Sequence, residues 1–220
     1  MNRSPQERDE RLKARIEAFS DLVMGFSLAL LGLTLVIPQH AAALFFHPWW
    51  LVCYFWTFAV IAILWFNHQR LFSLFFLVHP VCLVLNFVFL SMIGLLVYFL
   101  QVFGHVRGEA DQAIALLAYF GALGTSLLTI GILYAIGTRV RWHQLTREER
   151  YLGVRAALRG IVVGVFLDGG VIITPLFFLE LHLRATLTLA YSAIFAVIVT
   201  RIALQFLRPR IVGTSAHASA

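Results

Sequence analysis

The chain has 220 residues, of which 60% are hydrophobic and only 13% charged, with 17 basic side chains against 11 acidic ones. A soluble domain of this length carries far more polar surface, so the composition and a mean hydropathy of +0.86 define an integral membrane protein. The net charge of +6 follows membrane sidedness and gives no reason to expect a nucleic-acid partner.

A membrane span takes roughly 20 apolar residues at about 1.5 Å of rise each. Six stretches qualify, near 17–37, 49–67, 79–101, 112–137, 156–179 and 184–206. Residues 1–14 are charged and are expected as a cytoplasmic N-terminal arm or an extension of the first helix. The first span should end at Ile37-Pro38; it is too long for a secretory h-region and lacks a small-residue cleavage pattern. Pro48 then precedes Trp49 and Trp50, an N1-type proline followed by an aromatic pair at belt height. The second span ends in Trp65-Phe66-Asn67-His68-Gln69-Arg70, and the third carries Asn86, Ser91 and Gly94. The fourth is rich in Ala and Gly, and the fifth holds Gly160 and Gly164 as G-x-x-x-G, so these two should pack closely on each other or on a neighbouring subunit. Six spans over residues 15–208 and a disordered cytoplasmic tail over 209–220 complete the expected organisation.

Basic residues fix the orientation. Arg3, Arg8, Arg11, Lys13 and Arg15 precede the first span, Arg70 follows the second, six arginines from Arg139 to Arg159 surround the fourth-to-fifth connection, and Arg201, Arg208 and Arg210 end the chain. These are 15 of the 17 basic residues, and only Arg107 and Arg184 fall on the other side. An even number of spans with this asymmetry predicts cytoplasmic N- and C-termini. Short loops fit a bacterial inner membrane.

The chemistry concentrates where the first span begins. Arg15, Phe19, Ser20 and Asp21 form an R-x-x-x-F-S-D sequence immediately before an apolar run from Leu22 to Ile37. An ionised carboxylate at that depth costs a few kcal/mol even on lenient insertion scales, so Asp21 needs donors. Trp65 and His68 end the second span on the same side, and Asn86 lies about two turns into the third. Indole, imidazole and amide N–H groups can all donate to Asp21 or Ser20. The residues alone leave open whether they form one network or several ordinary interfacial hydrogen bonds.

This pattern resembles the start of the pore helix in the transmembrane protein 175 family, the endolysosomal and prokaryotic potassium channels. Trp65-x-x-His68 and Asn86 fall where that family carries a tryptophan, a histidine and an asparagine, and the likeness spans residues 15–100. The resemblance implies that Arg15, Phe19, Ser20, Asp21, Trp65, His68 and Asn86 brace the pore helix. It implies a homotetramer in the lipid bilayer, with four copies of the first helix around an ion path for monovalent cations, potassium over sodium. It also places the constriction at Phe26, Leu30 and Leu33, one helical face spaced by four and three residues. Two positions depart from the family pattern. Phe26 stands where isoleucine or leucine is usual, and Ala29 where many members carry a threonine that favours potassium; Ser27 lies on another face.

Asp168 is the rival feature, an acidic residue well inside the fifth span beside Gly169, Gly170 and Pro175. A carboxylate there can serve a proton- or cation-coupled transporter; it can equally pair with an arginine or cap a break, with the glycines serving close packing. Cys53 and Cys82 read as apolar packing residues without metal-like spacing. The histidines are scattered near span ends, and no nucleophile–base set or phosphate loop is present. Neither a catalytic role nor a metal or other cofactor is expected. The sequence therefore predicts an all-α integral membrane protein of six helices, and the resemblance implies a passive, potassium-preferring cation channel.

Overall fold

A computed structural model describes residues 4–33, 35 and 49–177, together with 195, 197, 198, 200–202, 204, 205, 207 and 211. The described regular structure is entirely α-helical: α1 (Pro5–Gly32), α2 (Trp49–Leu74), α3 (Pro80–His105), α4 (Glu109–Val140) and α5 (Arg147–Phe177), with further helical positions between 195 and 211. Four of these helices are long and apolar enough to cross a membrane, over Leu51–Leu74, Pro80–His105, Glu109–Val140 and Arg147–Pro175. α4 and α5 outrun their apolar stretches where charged residues continue the helix, α5 starting nine residues before the expected 156. Pro38, the first half of the sixth span and most of the 209–220 tail lie outside the described residues.

α1 begins earlier and closes sooner than its apolar pattern suggests. Ser4 accepts from the Glu7 N–H while the Glu7 carboxylate accepts from the Ser4 N–H, both at 3.3 Å, and Pro5 occupies N1. That capping box starts the helix in the charged segment, so residues 5–14 are its first turns. At the other end the Leu33 and Leu35 N–H groups turn back to the Leu30 and Gly32 carbonyls, ending the regular helix at Gly32 where the pattern suggests Ile37.

α3 is capped by His79, whose Nδ1 accepts from the Val81 N–H, with Pro80 at N1. α4 follows Gly108, whose φ of 120° lies in a region that side chains disfavour. Thr146 and Glu149 form the capping box of α5.

α4 and α5 make the most intimate helix pair. A Cβ on Gly164 would sit 2.6 Å from the Leu128 nitrogen, one on Gly160 2.7 Å from the Leu127 oxygen, and one on Gly131 2.7 Å from the Ile161 nitrogen. Backbone therefore lies directly on backbone, the contact that small residues permit in a membrane. Polar ties lace α4 to α2: Tyr119 and Thr57 share a hydrogen bond at 3.1 Å, and the Tyr134 hydroxyl donates to the Asn67 carbonyl at 2.7 Å. Arg141 donates to the Leu74 carbonyl at 2.8 Å and the Phe76 carbonyl at 3.1 Å, filling acceptors left open where α2 ends. α1 packs on α2 and α3, and Phe195 meets Phe166 of α5 edge-on.

Candidate functional site

One face of α1 is buried: Ile16, Ser20, Met24, Ser27 and Leu31 recur at spacings of four and three and press on the bundle. Within that face lies a directed hydrogen-bond relay. The Ser20 hydroxyl donates to the Ile16 carbonyl at 2.8 Å, and the Asn86 amide nitrogen donates to Ser20 Oγ at 3.2 Å. Asn86 Oδ1 then accepts from His68 Nε2 at 2.9 Å, an arrangement that puts the ring proton on Nε2. Ser20, Asn86 and His68 are all fully buried. The His68 ring stacks on Phe89 at 5.3 Å and packs on Phe72 at 4.5 Å, while its Nδ1 is buried without a hydrogen-bond partner.

Asp21 has a separate set of partners. Its Oδ1 accepts from Trp65 Nε1 at 3.0 Å and from the Gln69 side-chain amide. Trp65 and Gln69 are one helical turn apart on the same face of α2, so both donors reach one carboxylate. Sequence reasoning missed Gln69, although its i+4 relation to Trp65 was readable. Phe19 is partly exposed and meets Phe87 edge-on with centroids 6.0 Å apart. Arg15 is exposed on the same end of the helix and joins neither set. The seven residues singled out from the sequence thus divide into the Ser20–Asn86–His68 relay, the Asp21–Trp65 pair, the Phe19–Phe87 contact and Arg15.

Beyond Asp21, Phe26, Leu30 and Leu33 are 61%, 50% and 79% exposed, with Leu22 and Ala29 on the same open side. Gly25 beside them has nothing within 4 Å of an added Cβ. Ser27 is turned into the bundle, and its hydroxyl donates to the Val23 carbonyl of its own helix at 2.9 Å. It has no hydroxyl proton to offer on the Ala29 side.

Asp168 lies against α4. Thr125 Oγ1 stands 3.5 and 3.4 Å from its two carboxylate oxygens, and a Cβ on Gly124 would collide with the carboxylate. Gly124 is the glycine that makes room here; Gly169 faces open space and serves no close contact. Among the described residues no group of three or more His, Cys, Asp or Glu is placed to hold a metal ion.

These features define an all-helical, multi-pass membrane protein whose first helix is anchored at its polar end and bare along one apolar stripe. A family model described as the endosomal/lysosomal potassium channel TMEM175 matches residues 15–96, the segment that carries all seven of those residues. The fold is similar to that of the potassium channel MtTMEM175, crystallised as a threonine-to-alanine variant in complex with a Nanobody-MBP fusion protein. The TM-score is 0.64 at 19% identity, over 87% of this chain and 93% of that one. No curated relative matches the chain. Over residues 15–96 the chain is thus similar to the TMEM175 potassium-channel family, a family of ion channels and not of enzymes.

Proposed function

We propose that the protein is a passive, potassium-preferring cation channel formed by four copies of the chain around α1, in a bacterial inner membrane with both termini cytoplasmic. The observation that carries this reading is the contrast between the two faces of α1. Its bundle side is sealed down to Leu31, yet Leu22, Phe26, Leu30 and Leu33 stay exposed among the described residues. Lipid would satisfy such a stripe on its own. A helix held by hydrogen bonds at two successive residues has a fixed orientation, however, and a fixed apolar side suits a symmetric axis between copies of the chain.

Phe26, Leu30 and Leu33 span about 10 Å of helix at 1.5 Å per residue. Rings of such side chains close a path by dewetting, since a narrow apolar neck excludes water and with it ions. Ala29 offers no hydroxyl, so discrimination between potassium and sodium rests on neck width and dehydration. The polar groups of Ser20, Asp21, Trp65, His68 and Asn86 hold α1 in place, with Phe19 and Arg15 at its cytoplasmic end.

The test is potassium and sodium flux into liposomes carrying the purified protein, with Phe26→Ala in parallel. Potassium flux above sodium flux, altered by the substitution, is the expected result. Absence of flux from both proteins, or a monomer by size and crosslinking, would overturn it. A coupled transporter using Asp168 is the second reading: loss of uptake in Asp168→Asn with Phe26→Ala indifferent would establish it. The packing of Asp168 over Gly124 and beside Thr125 favours a role in helix contact.

A further inference from the structure

We propose that the cleft between the C-terminal end of α4 and the first half of α5 binds one anionic phospholipid of the cytoplasmic leaflet. The cleft has a volume of about 370 Å³, and its floor is apolar, formed by Ala135, Ala157, Leu158 and Ile161. Arg139 and Trp142 stand at its mouth. A cavity of this size, apolar within and cationic at one end, matches an acyl chain attached to a phosphate headgroup.

The charge around the mouth supports an anion. Arg139 is exposed, and the Arg150 guanidinium lies 5.3 Å from the centre of the Trp142 ring, with its Nε buried and without a hydrogen-bond partner. Arg147 is exposed at the start of α5. Glu148 and Glu149, the latter holding the Thr146 cap, are the acidic residues nearby, and against Arg139, Arg147 and Arg150 they leave the mouth net positive. Arg141 already caps α2 and takes no part. Trp142 is half-buried at the level where tryptophan meets headgroups. Zwitterionic lipid could fill the same floor but would leave the arginines without a net counter-charge. Free phosphate could meet the arginines but would leave the apolar floor to water.

The experiment is native mass spectrometry of the full chain in neutral detergent, titrated with phosphatidylglycerol, phosphatidylcholine of the same acyl chains, or inorganic phosphate. Each arginine near a surface favours anionic lipid by about 1 kcal/mol, so two should favour phosphatidylglycerol by about thirtyfold. Arg139→Gln with Arg150→Gln should bring that preference close to unity, and Arg139→Lys should keep most of it. Leu158→Trp, which fills the floor, should lose both lipids. Far-UV circular dichroism and gel filtration confirm that each variant is folded, so a loss reports the site. Equal retention of the two lipids by the unaltered protein would overturn the proposal. So would a preference that survives loss of both arginines, undiminished lipid retention by folded Leu158→Trp, or retention of phosphate with neither lipid.

Discussion

Removing the Asp21 carboxylate should loosen α1 by a measurable and assignable amount. Asp21 receives the Trp65 indole N–H at 3.0 Å and the Gln69 amide. Asp21→Ala therefore deprives two donors of their acceptor while taking away little packing. Side-chain hydrogen bonds between membrane helices average about 0.6 kcal/mol and reach about 1.7, and an ionised acceptor belongs toward the upper end. Two such bonds put the expected cost at about 1–3 kcal/mol. Trp65→Phe removes the N–H and keeps an aromatic ring, so it isolates one of the bonds. Reversible unfolding in mixed micelles, read for both single variants and the double variant, should give a coupling of about 1 kcal/mol between Asp21 and Trp65. Asp21→Asn retains an acceptor oxygen and should recover part of the loss. A coupling below about 0.3 kcal/mol, within the range of independent sites, would refute the claim that this bond holds α1 to α2.

The other predictions address the remaining contacts of the site and its frame. Asn86→Leu should break the relay on both sides, stranding the fully buried His68 Nε2 and leaving Ser20 Oγ only its bond to the Ile16 carbonyl, and lower stability by about 1–3 kcal/mol in the same assay. Gly164→Leu would place side-chain atoms inside the α4 backbone and should cost at least about 3 kcal/mol or abolish folded protein on gel filtration. Arg141→Ala should release the Leu74 and Phe76 carbonyls and cost about 2–4 kcal/mol; Arg141→Lys should recover only part, since an ammonium cannot span both acceptors as a guanidinium does.

Much of this was readable before any coordinate. Apolar run lengths located the four described spans, and the shared depth of Trp65, His68 and Asn86 with Asp21 marked them as neighbours of the first helix. How they divide was not readable. Ser20 and Asp21 are adjacent in the chain but point to different neighbours, and which donor serves which acceptor depends on helix rotation, which hydropathy does not encode. The same limit hid Gln69 as the second donor to Asp21 and Arg141 as the cap of α2. The capping box at Ser4 and Glu7 was legible as a local pattern, yet the charged segment concealed that helix continues through it. Asp168 drew notice through Gly169 and Gly170, whereas the glycine that accommodates it, Gly124, is 44 residues away on α4.

The division of the polar contacts bears directly on what α1 can present. A single hydrogen bond would hold the helix at one point and leave it free to roll about its axis. Ser20 and Asp21 are successive residues, so at about 100° per residue their bonds to α3 and α2 pull along two directions and stop the roll. Counting on from them, Phe26 lies about 140° from Asp21 one way round and about 120° from Ser20 the other. Leu33 falls within about 20° of Phe26 and Leu30 within about 40°. The bare stripe is therefore centred almost opposite the midpoint of the two anchors. Losing either anchor should let α1 rotate and carry Phe26 off its bearing without altering any residue of the stripe. On the proposed four-fold arrangement, each copy's anchors would then set the width of the neck from one turn below it, and Asn86→Leu or Asp21→Ala should change flux in liposomes even though neither residue faces the path.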